Sequence, residues 1–593
     1  SSKKEKNKVE PPEIKEDPLI GKIIGGRYRI DKLLLKRVFS KLYFGTDLNS
    51  NNYVTIQVPN DSRPTFKTRI ESEVKALKGI DNPLFIKFID IILEDDLCFV
   101  IREYIEGDSV RNLLRKRKPS IEESIKIILD VLTNTTLAFL LLNSILLVKP
   151  VFSRGSLLQN INWFGELVNL QIALDGFSLL MLFTISLVSL CITLFSIDYL
   201  KHYGHQANFY ALLLVMVAGM NGLVLVPDLF SVYLFLEVAA VASYALVAFG
   251  LGPEELEASF KYLMLSVVAS AFILLSITVI FGLTGSLSFQ AVARGLQDLN
   301  ASLVLGVCLA FFIMGFGLKA ALVPFHAWLP DAHPSAPAPI SAMLSGLLIK
   351  VSGIYALFRI VYSVVGMTPA LSKVLMAMGA ISIVVAALLA LGQNDVKRML
   401  AYSSISQVGY IILGLAIGTP LGIAGGLFHL FNHAVAKGLL FLNSGSIQHI
   451  TGTRNLNELG GLGKKVPVTA GTNLIGALSI AGVPPLAGFW SKLIIIIALI
   501  QADHFGYALV AILASILTLW YYLLIQRKAF FGPLNDRWLK IKEAPFWMTA
   551  ANVILALLCL LVGIFFSPVF KTWIAPAADA LARGVQQVLM WGI

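Results

Sequence analysis

Cysteine is scarce in this sequence, and no two cysteines lie close together. Cys98, Cys191, Cys308 and Cys559 are the four among 593 residues. Zinc ribbons and iron–sulfur sites require clustered cysteines at short spacings. The sequence therefore supports neither kind of metal site in this chain.

Charged residues are also scarce, but only after residue 130. Residues 1–130 contain 25 of the 48 Lys and Arg and 21 of the 37 Asp and Glu. The remainder is so apolar that the mean hydropathy of the whole chain is +0.74. The sequence thus divides into a charged soluble head and an apolar body. The net charge of +11 lies mostly in loops of the body, which indicates membrane topology and not nucleic-acid binding.

The body consists of long apolar segments. A bilayer core of about 30 Å needs roughly twenty apolar residues per helix. A large soluble helical core is excluded, because soluble cores do not contain a dozen consecutive stretches of this length. We count about thirteen such segments, at 131–148, 173–197, 208–226, 228–250, 258–283, 302–326, 339–362, 370–392, 398–417, 420–447, 466–500, 505–526 and 546–570.

Positive charges in the loops indicate how the body is oriented. Loops on the side of the head carry eleven Lys and Arg, including Lys397 and Arg398, and loops on the opposite side carry five. Cytoplasmic loops are enriched in Lys and Arg. The head is therefore predicted to be cytoplasmic and the C-terminus to lie outside, in a bacterial or archaeal cell membrane.

A few of the apolar segments carry an ionisable residue near their middle. Glu237, Lys319 and Lys350 each lie roughly midway along a segment. An ionised group at mid-membrane costs about 2.5–3.5 kcal/mol, so the three would cost on the order of 8–10 kcal/mol if unpaired. We expect them to pair or to face water. Groups at equal depth form the kind of polar line that proton hopping requires.

One segment carries a stripe of three ionisable residues. His429, His433 and Lys437 are spaced four residues apart, so they fall on one face of a helix. Histidine titrates near physiological pH, and the stripe is interpreted as part of a proton relay. The simpler alternative is a hydrogen-bonded core histidine, which we would favour for one isolated residue.

Prolines interrupt two of the segments. Pro324 follows Lys319 by five residues, and Pro484 and Pro485 precede Lys492. Backbone groups freed by a broken membrane helix are tolerated only where they face protein or water. One interrupted helix in each half indicates a repeat architecture with a site near the midplane, and a packing kink is the alternative. Lys492 is included in the relay, although it could also snorkel outward from the break.

Several longer motifs resemble one protein family. They are FLEVAAVASYALVAF, GLKAALVPFHAWLPDAHPSAPAPISAMLSGLLIKVSGIYAL, NDVKRMLAYSSISQVGYIILG, FHLFNHAVAKGLLFLNSGSI and AGVPPLAGFWSK. Their order resembles the antiporter-like subunits of respiratory complex I, of energy-converting membrane-bound hydrogenases and of multisubunit sodium/proton antiporters. The resemblance covers residues 165–570.

The resemblance implies an all-α body of two inverted five-helix repeats, each with a broken helix. It implies fourteen helices where we count about thirteen, and the missing helix lies at the start, which agrees with a cytoplasmic head. It implies no flavin, iron–sulfur cluster or nucleotide in this chain, so such groups are expected on partner subunits. The implied relay combines a glutamate–lysine pair with further ionisable residues: Glu237, Lys319, Lys350, His429, His433, Lys437 and Lys492.

The head is predicted to contain a tail and a small α+β domain. Residues 1–20 are polar and rich in Lys, Glu and Pro, which predicts a disordered tail and no cleavable signal peptide. Residues 21–130 carry hairpin patterns in 25–60 and a helical pattern in 68–80. This order resembles the N-terminal lobe of a protein kinase. The transmembrane domain is assigned to residues 131–593.

The catalytic features of a kinase lobe are degraded in the head. The segment in place of the glycine-rich phosphate loop, 35–40, has no glycine, and Gln57 stands where a kinase has its phosphate-holding lysine. Glu73 matches the helix glutamate without a lysine partner. Kinase activity is therefore not expected, and a pseudokinase-like docking role is preferred over a fusion relic without function. The basic run 115–118 could contact anionic lipid or form a solvated turn.

These observations predict a proton- or cation/proton-translocating, non-redox membrane subunit of a redox-driven complex. That complex would resemble an NADH:quinone oxidoreductase or a membrane-bound hydrogenase. Its partners would be other membrane and peripheral subunits and the lipid bilayer, and no nucleic acid is expected. Two alternatives stay open: a subunit of a sodium/proton antiporter without a redox partner, and a membrane-anchored pseudokinase scaffold.

Overall fold

The computed structural model describes residues 17–36, 40–59, 72, 88–94, 97–104, 121–163, 168–297 and 302–589. The chain divides into two compact units, Ser1–Ser120 and Ile121–Ile593. Each unit has its own hydrophobic core, and each is described by itself.

The N-terminal unit contains an antiparallel sheet of six strands. They lie side by side in the order β1-β2-β3-β4-β6-β5, so the predicted hairpins of residues 25–60 are present. Tyr28, Tyr43 and Ile56 lie on three neighbouring strands and are fully buried at the centre of this core. The strands are β1 (Ile23–Ile24), β2 (Tyr28–Lys36), β3 (Ser40–Asp47), β4 (Tyr53–Pro59), β5 (Phe88–Glu94) and β6 (Leu97–Glu103).

An ion pair stabilises the turn that follows β3. The Arg27 guanidinium donates to both carboxylate oxygens of Asp47, at 2.9 and 2.8 Å. Asp47 also accepts from the backbone of Asn49 at 3.0 Å and from the Ser50 hydroxyl at 2.8 Å. The hydrogen bonds from Arg27 hold the pKa of Asp47 well below its ordinary value. The turn is therefore held by a carboxylate that stays ionised at neutral pH.

The kinase-like features of the head stay a prediction. Gln57 lies on β4, and its amide donates to Ser40 Oγ at 3.2 Å. Glu73, most of the predicted helix 68–80 and the basic run 115–118 lie outside the described residues.

The second unit is a bundle of apolar helices. Within the described residues, ten helices are long and apolar enough to cross a membrane, and three shorter apolar helices accompany them. Each predicted segment falls on a helix, so the prediction of a mostly helical, multi-pass membrane protein is confirmed. The helices are α1 (Ile121–Leu146), α2 (Val148–Arg154), α3 (Gly176–Tyr199), α4 (Gln206–Leu225), α5 (Leu229–Val247), α6 (Pro253–Thr284), α7 (Phe289–Gln297), α8 (Ser302–Lys319), α9 (Leu329–Ser335), α10 (Ala338–Val365), α11 (Pro369–Leu391), α12 (Val396–Ala416), α13 (Pro420–Thr451), α14 (Pro467–Ala481), α15 (Ala487–Gln501), α16 (Phe505–Phe531), α17 (Phe546–Ile564), α18 (Phe566–Val569), α19 (Ala575–Ala582) and α20 (Val585–Leu589).

Helix and strand structure is present between the first two apolar segments, where the sequence predicts only a charged loop. Lys149 and Arg154 lie on the short helix α2, and a hairpin of β7 (Ser156–Trp163) and β8 (Val168–Asp175) follows. Leu174 is buried together with Val151 of α2 and Leu179 of α3. Alternation along a strand gives the hairpin one apolar face, and that face packs against the two helices.

Two helix pairs recur 167 residues apart. The pair α5 and α6 begins at Leu229 and Pro253, and the pair α12 and α13 begins at Val396 and Pro420. Both α6 and α13 are 32 residues long. Four crossings lie between α5 and α12 (α6, the broken α8–α9, α10 and α11), so α12 is the fifth crossing after α5 and the second pair runs in the opposite direction. The expected inverted repeat is confirmed.

The two helix pairs begin and end in the same way. Each first helix is capped by an aspartate, Asp228 or Asp395, and each second helix ends at a glycine with positive φ, Gly285 or Gly452. Glycine adopts this left-handed conformation without the steric penalty of a side chain. Each capping aspartate also forms an isolated antiparallel β-bridge with a residue just after the second helix: Asp228 with Ser288, and Asp395 with Asn455.

The two interrupted segments are broken at the predicted prolines. Helix α8 ends at Lys319 and α9 begins at Leu329, with Pro324 between them, while Pro484 and Pro485 separate α14 from α15. Freed backbone groups at the first break find partners inside the protein. The Trp328 indole donates to the Leu318 carbonyl at 2.9 Å, and the Val323 amide donates to Ser382 Oγ at 3.0 Å.

A glycine lets helix α10 approach the first break closely. Leu344–Tyr355 of this helix is π-helical and is buried throughout. A Cβ added at Gly353 would come within 2.6 Å of the backbone and side chain of Ala320, which follows Lys319 directly. The helix that carries Lys350 can therefore pack against the backbone beside Lys319 only because residue 353 has no side chain.

Candidate functional site

Glu237 and Lys319 form an ion pair within the first repeat. Lys319 Nζ lies 3.4 Å from Glu237 Oε1 and donates to Ser266 Oγ at 2.6 Å. Ser270 donates to the same Glu237 oxygen, and the Tyr244 hydroxyl donates to Ser266 Oγ at 2.5 Å. The Lys319 side chain is 2% exposed and that of Glu237 26%. The positive charge of the buried Lys319 is thus compensated by a partly exposed carboxylate and by hydroxyl groups.

Lys350 is buried in the π-helical part of α10. Its ammonium donates to the carbonyl of Ser345, whose hydroxyl lies 2.7 Å from Ser404 Oγ on α12. Among the described residues, no carboxylate contacts this lysine, and no direct hydrogen bond joins it to Lys319. A π-helical turn leaves backbone carbonyls imperfectly paired and often marks a functional site. Here such a carbonyl serves as the partner of the cation.

The predicted stripe on α13 lies wholly inside the bundle. His429 Nδ1 lies 2.9 Å from Ser491 Oγ, and His429 Nε2 lies 3.2 Å from Gln407 Oε1. Lys437 donates to the Leu400 carbonyl at 2.9 Å. The three side chains point into the bundle, as their spacing predicts, but they have different surroundings. Within the described part of the chain, neither ring nitrogen of His433 has a hydrogen-bond partner.

Lys492 lies one turn after the second break and is buried, with 3% of its surface exposed. The alternative that it snorkels outward is wrong for this structure. Its ammonium lies 3.4 Å from the carbonyl of Ala481, the last residue of α14, and 4.5 Å from the ring centre of Tyr410. Unpaired carbonyls at a helix C-terminus favour a cation, and an aromatic face does the same. Lys319 is itself the last residue of α8, so a lysine lies near the C-terminal end of the first half-helix at each break.

Lys397 is a further buried lysine, and its assignment as a cytoplasmic loop charge is wrong. It is 1% exposed, and its ammonium donates to the Ala336 carbonyl at 2.7 Å. The apolar run starts at residue 398, but helix α12 starts at Val396 because the Asp395 side chain caps it. Asn-Asp before an apolar run is a helix-start signal that could have placed Lys397 inside the helix.

The structure contains a second buried ion pair, which the sequence does not predict. Both Arg359 terminal nitrogens donate to Asp175, at 2.6 and 2.8 Å, and both residues are almost fully buried. Asp175 also caps α3 by accepting from the Ser178 amide at 2.9 Å. Tyr355, on the π-helical stretch of Lys350, contacts Arg359 at 3.0 Å. Arg359 lies inside a predicted apolar segment. An arginine at such a position is the sequence feature that could have indicated a buried ion pair.

The described residues contain no group of three or more His, Cys, Asp and Glu arranged to hold a metal ion. Apart from the pairs Glu237–Lys319 and Asp175–Arg359, the ionisable side chains described above contact hydroxyls, a side-chain amide and backbone carbonyls. Of these groups, the hydroxyls can donate and accept hydrogen bonds at once, which suits proton transfer.

Two family models match this chain. A family model described as NADH:quinone oxidoreductase/Mrp antiporter, TM, matches residues 226–518, and one described as NADH-Ubiquinone oxidoreductase (complex I), chain 5 N-terminus, matches residues 164–210.

Two curated relatives illustrate the similarity. An NADH-quinone oxidoreductase subunit of Desulforudis audaxviator, of type N, is 40% identical over 328 residues, which cover 55% of this chain and 65% of the relative, slightly less than two thirds. An Na(+)/H(+) antiporter subunit of Alkalihalophilus pseudofirmus is 35% identical over 404 residues, which cover 68% of this chain and 82% of the relative.

Two solved structures share the fold. One chain of the Mrp complex from Dietzia sp. superposes with a TM-score of 0.72 at 27% identity and covers 78% of this chain and 95% of its own. One chain of the membrane-bound sulfane sulfur reductase, an archaeal respiratory membrane complex, gives 0.70 at 30% identity, with 80% and 95% covered.

The pair Asp175–Arg359 gives a prediction about stability. Asp175→Asn keeps a good helix cap but leaves Arg359 as an unpaired buried cation, which costs about 3–5 kcal/mol. We expect the thermal unfolding temperature of the full chain in detergent to fall clearly. The double variant Asp175→Asn/Arg359→Met removes both charges and should recover part of the loss. An unchanged unfolding temperature for Asp175→Asn would show that the pair does not stabilise the fold.

Proposed function

Because the chain belongs to the NADH:quinone oxidoreductase/Mrp antiporter family, we propose that it is a proton-translocating membrane subunit of a redox-driven complex. The observation that carries this proposal is the buried Lys319, paired with Glu237 at the end of a broken helix. This pair lies in the same bundle as three further buried lysines of the predicted relay, Lys350, Lys437 and Lys492.

The energetic cost of these cations argues for a transport role. Each lysine at mid-membrane depth costs about 2.5–3.5 kcal/mol on insertion scales, and none of them except Lys319 has a carboxylate partner among the described residues. Apolar side chains of similar volume would pack the same bundle without that cost. Ionisable groups kept against such a cost mark ion pathways in membrane proteins.

The geometry suits proton uptake and release by lysine. Separating Glu237 from Lys319 would remove an anion that favours the charged lysine, and Lys319 would then give up its proton more readily. Return of the carboxylate would favour reprotonation. Lys350, on the helix that packs against Ala320, is the next ionisable group toward the second repeat. His429, Lys437 and Lys492 continue the relay there, with His433 between the first two along α13.

Localisation and partners follow from the same reasoning. The excess of positive loop charges on one side supports a cell-membrane protein whose N-terminal unit lies in the cytoplasm. We propose that other membrane and peripheral subunits bind this chain, and that any flavin, metal centre or iron–sulfur cluster resides on them. The solved neighbours are chains of multisubunit membrane complexes, which supports this arrangement.

A cation/proton antiporter subunit without a redox partner is the second candidate. It is favoured by the similarity to the Na(+)/H(+) antiporter subunit of Alkalihalophilus pseudofirmus and to a chain of an Mrp complex. The buried lysines serve either function, so they do not separate the two. The difference between the candidates lies in the partner subunits.

Lys319→Met tests the transport role. In membrane vesicles with the chain and its native partners, we expect proton flux under an imposed potential, read by an internal pH dye, to fall by about 100-fold or more. Lys261→Met is the control, since Lys261 is a half-exposed lysine paired with Glu257 on the surface. Wild-type flux in an assembled Lys319→Met complex would overturn the proposal and would favour the scaffold alternative.

Purification of the intact complex through a tag on this chain separates the two candidates. The redox-driven complex predicts iron and acid-labile sulfide in stoichiometric amounts with the partner subunits, together with visible iron–sulfur absorbance. An intact complex that transports protons but contains no iron would contradict the redox assignment. That result would leave the antiporter candidate in place.

A further inference from the structure

The three ionisable residues of α13 are not connected to each other directly. His429 and His433 have ring centres 6.3 Å apart, and in the described structure neither nitrogen of His433 has a hydrogen-bond partner. His429 and Lys437, in contrast, are both hydrogen-bonded to side chains of other helices. A path between them therefore has to be sought outside α13.

Such a path starts at Lys437. Its ammonium donates to the Tyr522 hydroxyl at 3.0 Å and lies 5.6 Å from the centre of that ring. The Tyr522 hydroxyl lies 2.9 Å from Ser403 Oγ on α12, and the Tyr521 hydroxyl donates to the same oxygen at 2.9 Å. All four side chains are buried. Three hydroxyl groups thus form an unbroken hydrogen-bonded row beside a buried lysine.

The other end of the row lies near His429. The Gln407 amide donates to Thr518 Oγ1 at 3.5 Å, and Thr518 lies one turn before Tyr521 on α16. Gln407 Oε1 is also the group that lies 3.2 Å from His429 Nε2, and His429 Nδ1 lies 2.9 Å from Ser491. Gln407 therefore lies between the Tyr521 end of the row and the imidazole of His429.

We propose that Tyr522, Ser403 and Tyr521 conduct protons between Lys437 and the His429 end of the second repeat, with Gln407 as the positioning residue. This inference rests on the proposed function. A neutral Lys437 takes a proton from the Tyr522 hydroxyl. Tyr522 then takes a proton from Ser403, and Ser403 takes one from Tyr521. The Tyr521 hydroxyl regains its proton from the His429 imidazolium through one intervening water molecule, because the Gln407 amide that contacts His429 positions the imidazole and passes no proton itself. One proton moves in total, and all three hydroxyls end neutral as they began.

Electrostatics favour this row over a hop through His433. A proton resting on His433 would place a buried cation where, among the described residues, neither ring nitrogen has a hydrogen-bond partner to compensate its desolvation. Hydroxyl groups pass a proton without holding it, because each can donate and accept at once. The row thus avoids a further resting charge.

The first repeat contains a similar arrangement. Lys319 donates to Ser266 at 2.6 Å, and the Tyr244 hydroxyl donates to Ser266 at 2.5 Å. In both repeats, then, a buried lysine contacts a linked pair of serine and tyrosine hydroxyls. This recurrence supports a role for the hydroxyls in serving the lysine, independently of the histidine stripe.

Tyr522→Phe and Ser403→Ala test the proposal in vesicles that contain the native complex. Tyr522→Phe keeps the aromatic face over Lys437, and we expect each variant to slow proton flux at least tenfold. Ser403→Thr keeps a hydroxyl and should recover most of the flux, which a merely structural role of Ser403 would not require. His433→Gln should slow the flux less than either hydroxyl variant does.

The control is Tyr362→Phe, which removes a buried hydroxyl that donates to the Leu415 carbonyl at 2.6 Å, away from the row. Flux within twofold of this control for both Tyr522→Phe and Ser403→Ala would overturn the proposal. So would a large loss in His433→Gln with no loss in the hydroxyl variants. Failure of the proposed function looks different, because Lys319→Met would then also leave the flux unchanged.

Discussion

A charged ammonium group inside an apolar bundle must find compensation, and the arrangement of this protein depends on how it does so. Lys319 has a carboxylate, whereas Lys350, Lys437 and Lys492 have carbonyls, hydroxyls or an aromatic face. Partial compensation of this kind favours the charged form of a buried lysine less than a full ion pair does. Full pairing, as in Asp175–Arg359, holds a charge permanently and serves the fold. The bundle contains both kinds of buried charge, and their partners distinguish them.

The inverted repeat explains why compensation takes this form. A break in one helix of each half exposes backbone carbonyls, and these are tolerated only inside protein or beside a buried cation. Lys319 ends α8, and Lys492 lies against the last carbonyl of α14, so both lysines occupy C-terminal ends of broken helices. The close approach at Gly353 then brings the helix of Lys350 against the first break. The packing of the helices therefore determines where the buried charges lie.

Much of this could be predicted from the sequence, because helix length, proline breaks and isolated charges are local features. The apolar segments and the breaks at Pro324 and Pro484 follow from such features, whereas the pairing of Glu237 with Lys319 is implied by the family resemblance. The hairpin at 156–175, the burial of Lys397 and the pair Asp175–Arg359 could not be predicted in the same way, since they depend on which elements pack together. Tyr521, Tyr522 and Ser403 carry no charge, so nothing in the sequence distinguishes them from ordinary core residues.

The central claim is that Glu237 and Lys319 act as one proton-exchanging unit. A double-mutant cycle on proton flux tests this most directly, with Glu237→Gln, Lys319→Met and the double variant in vesicles that contain the native complex. Residues that act as a unit are strongly non-additive, so the double variant should transport protons no more slowly than the more impaired single variant. Multiplicative losses, with the double variant slower by the product of the two single effects, would show independent roles and contradict the account.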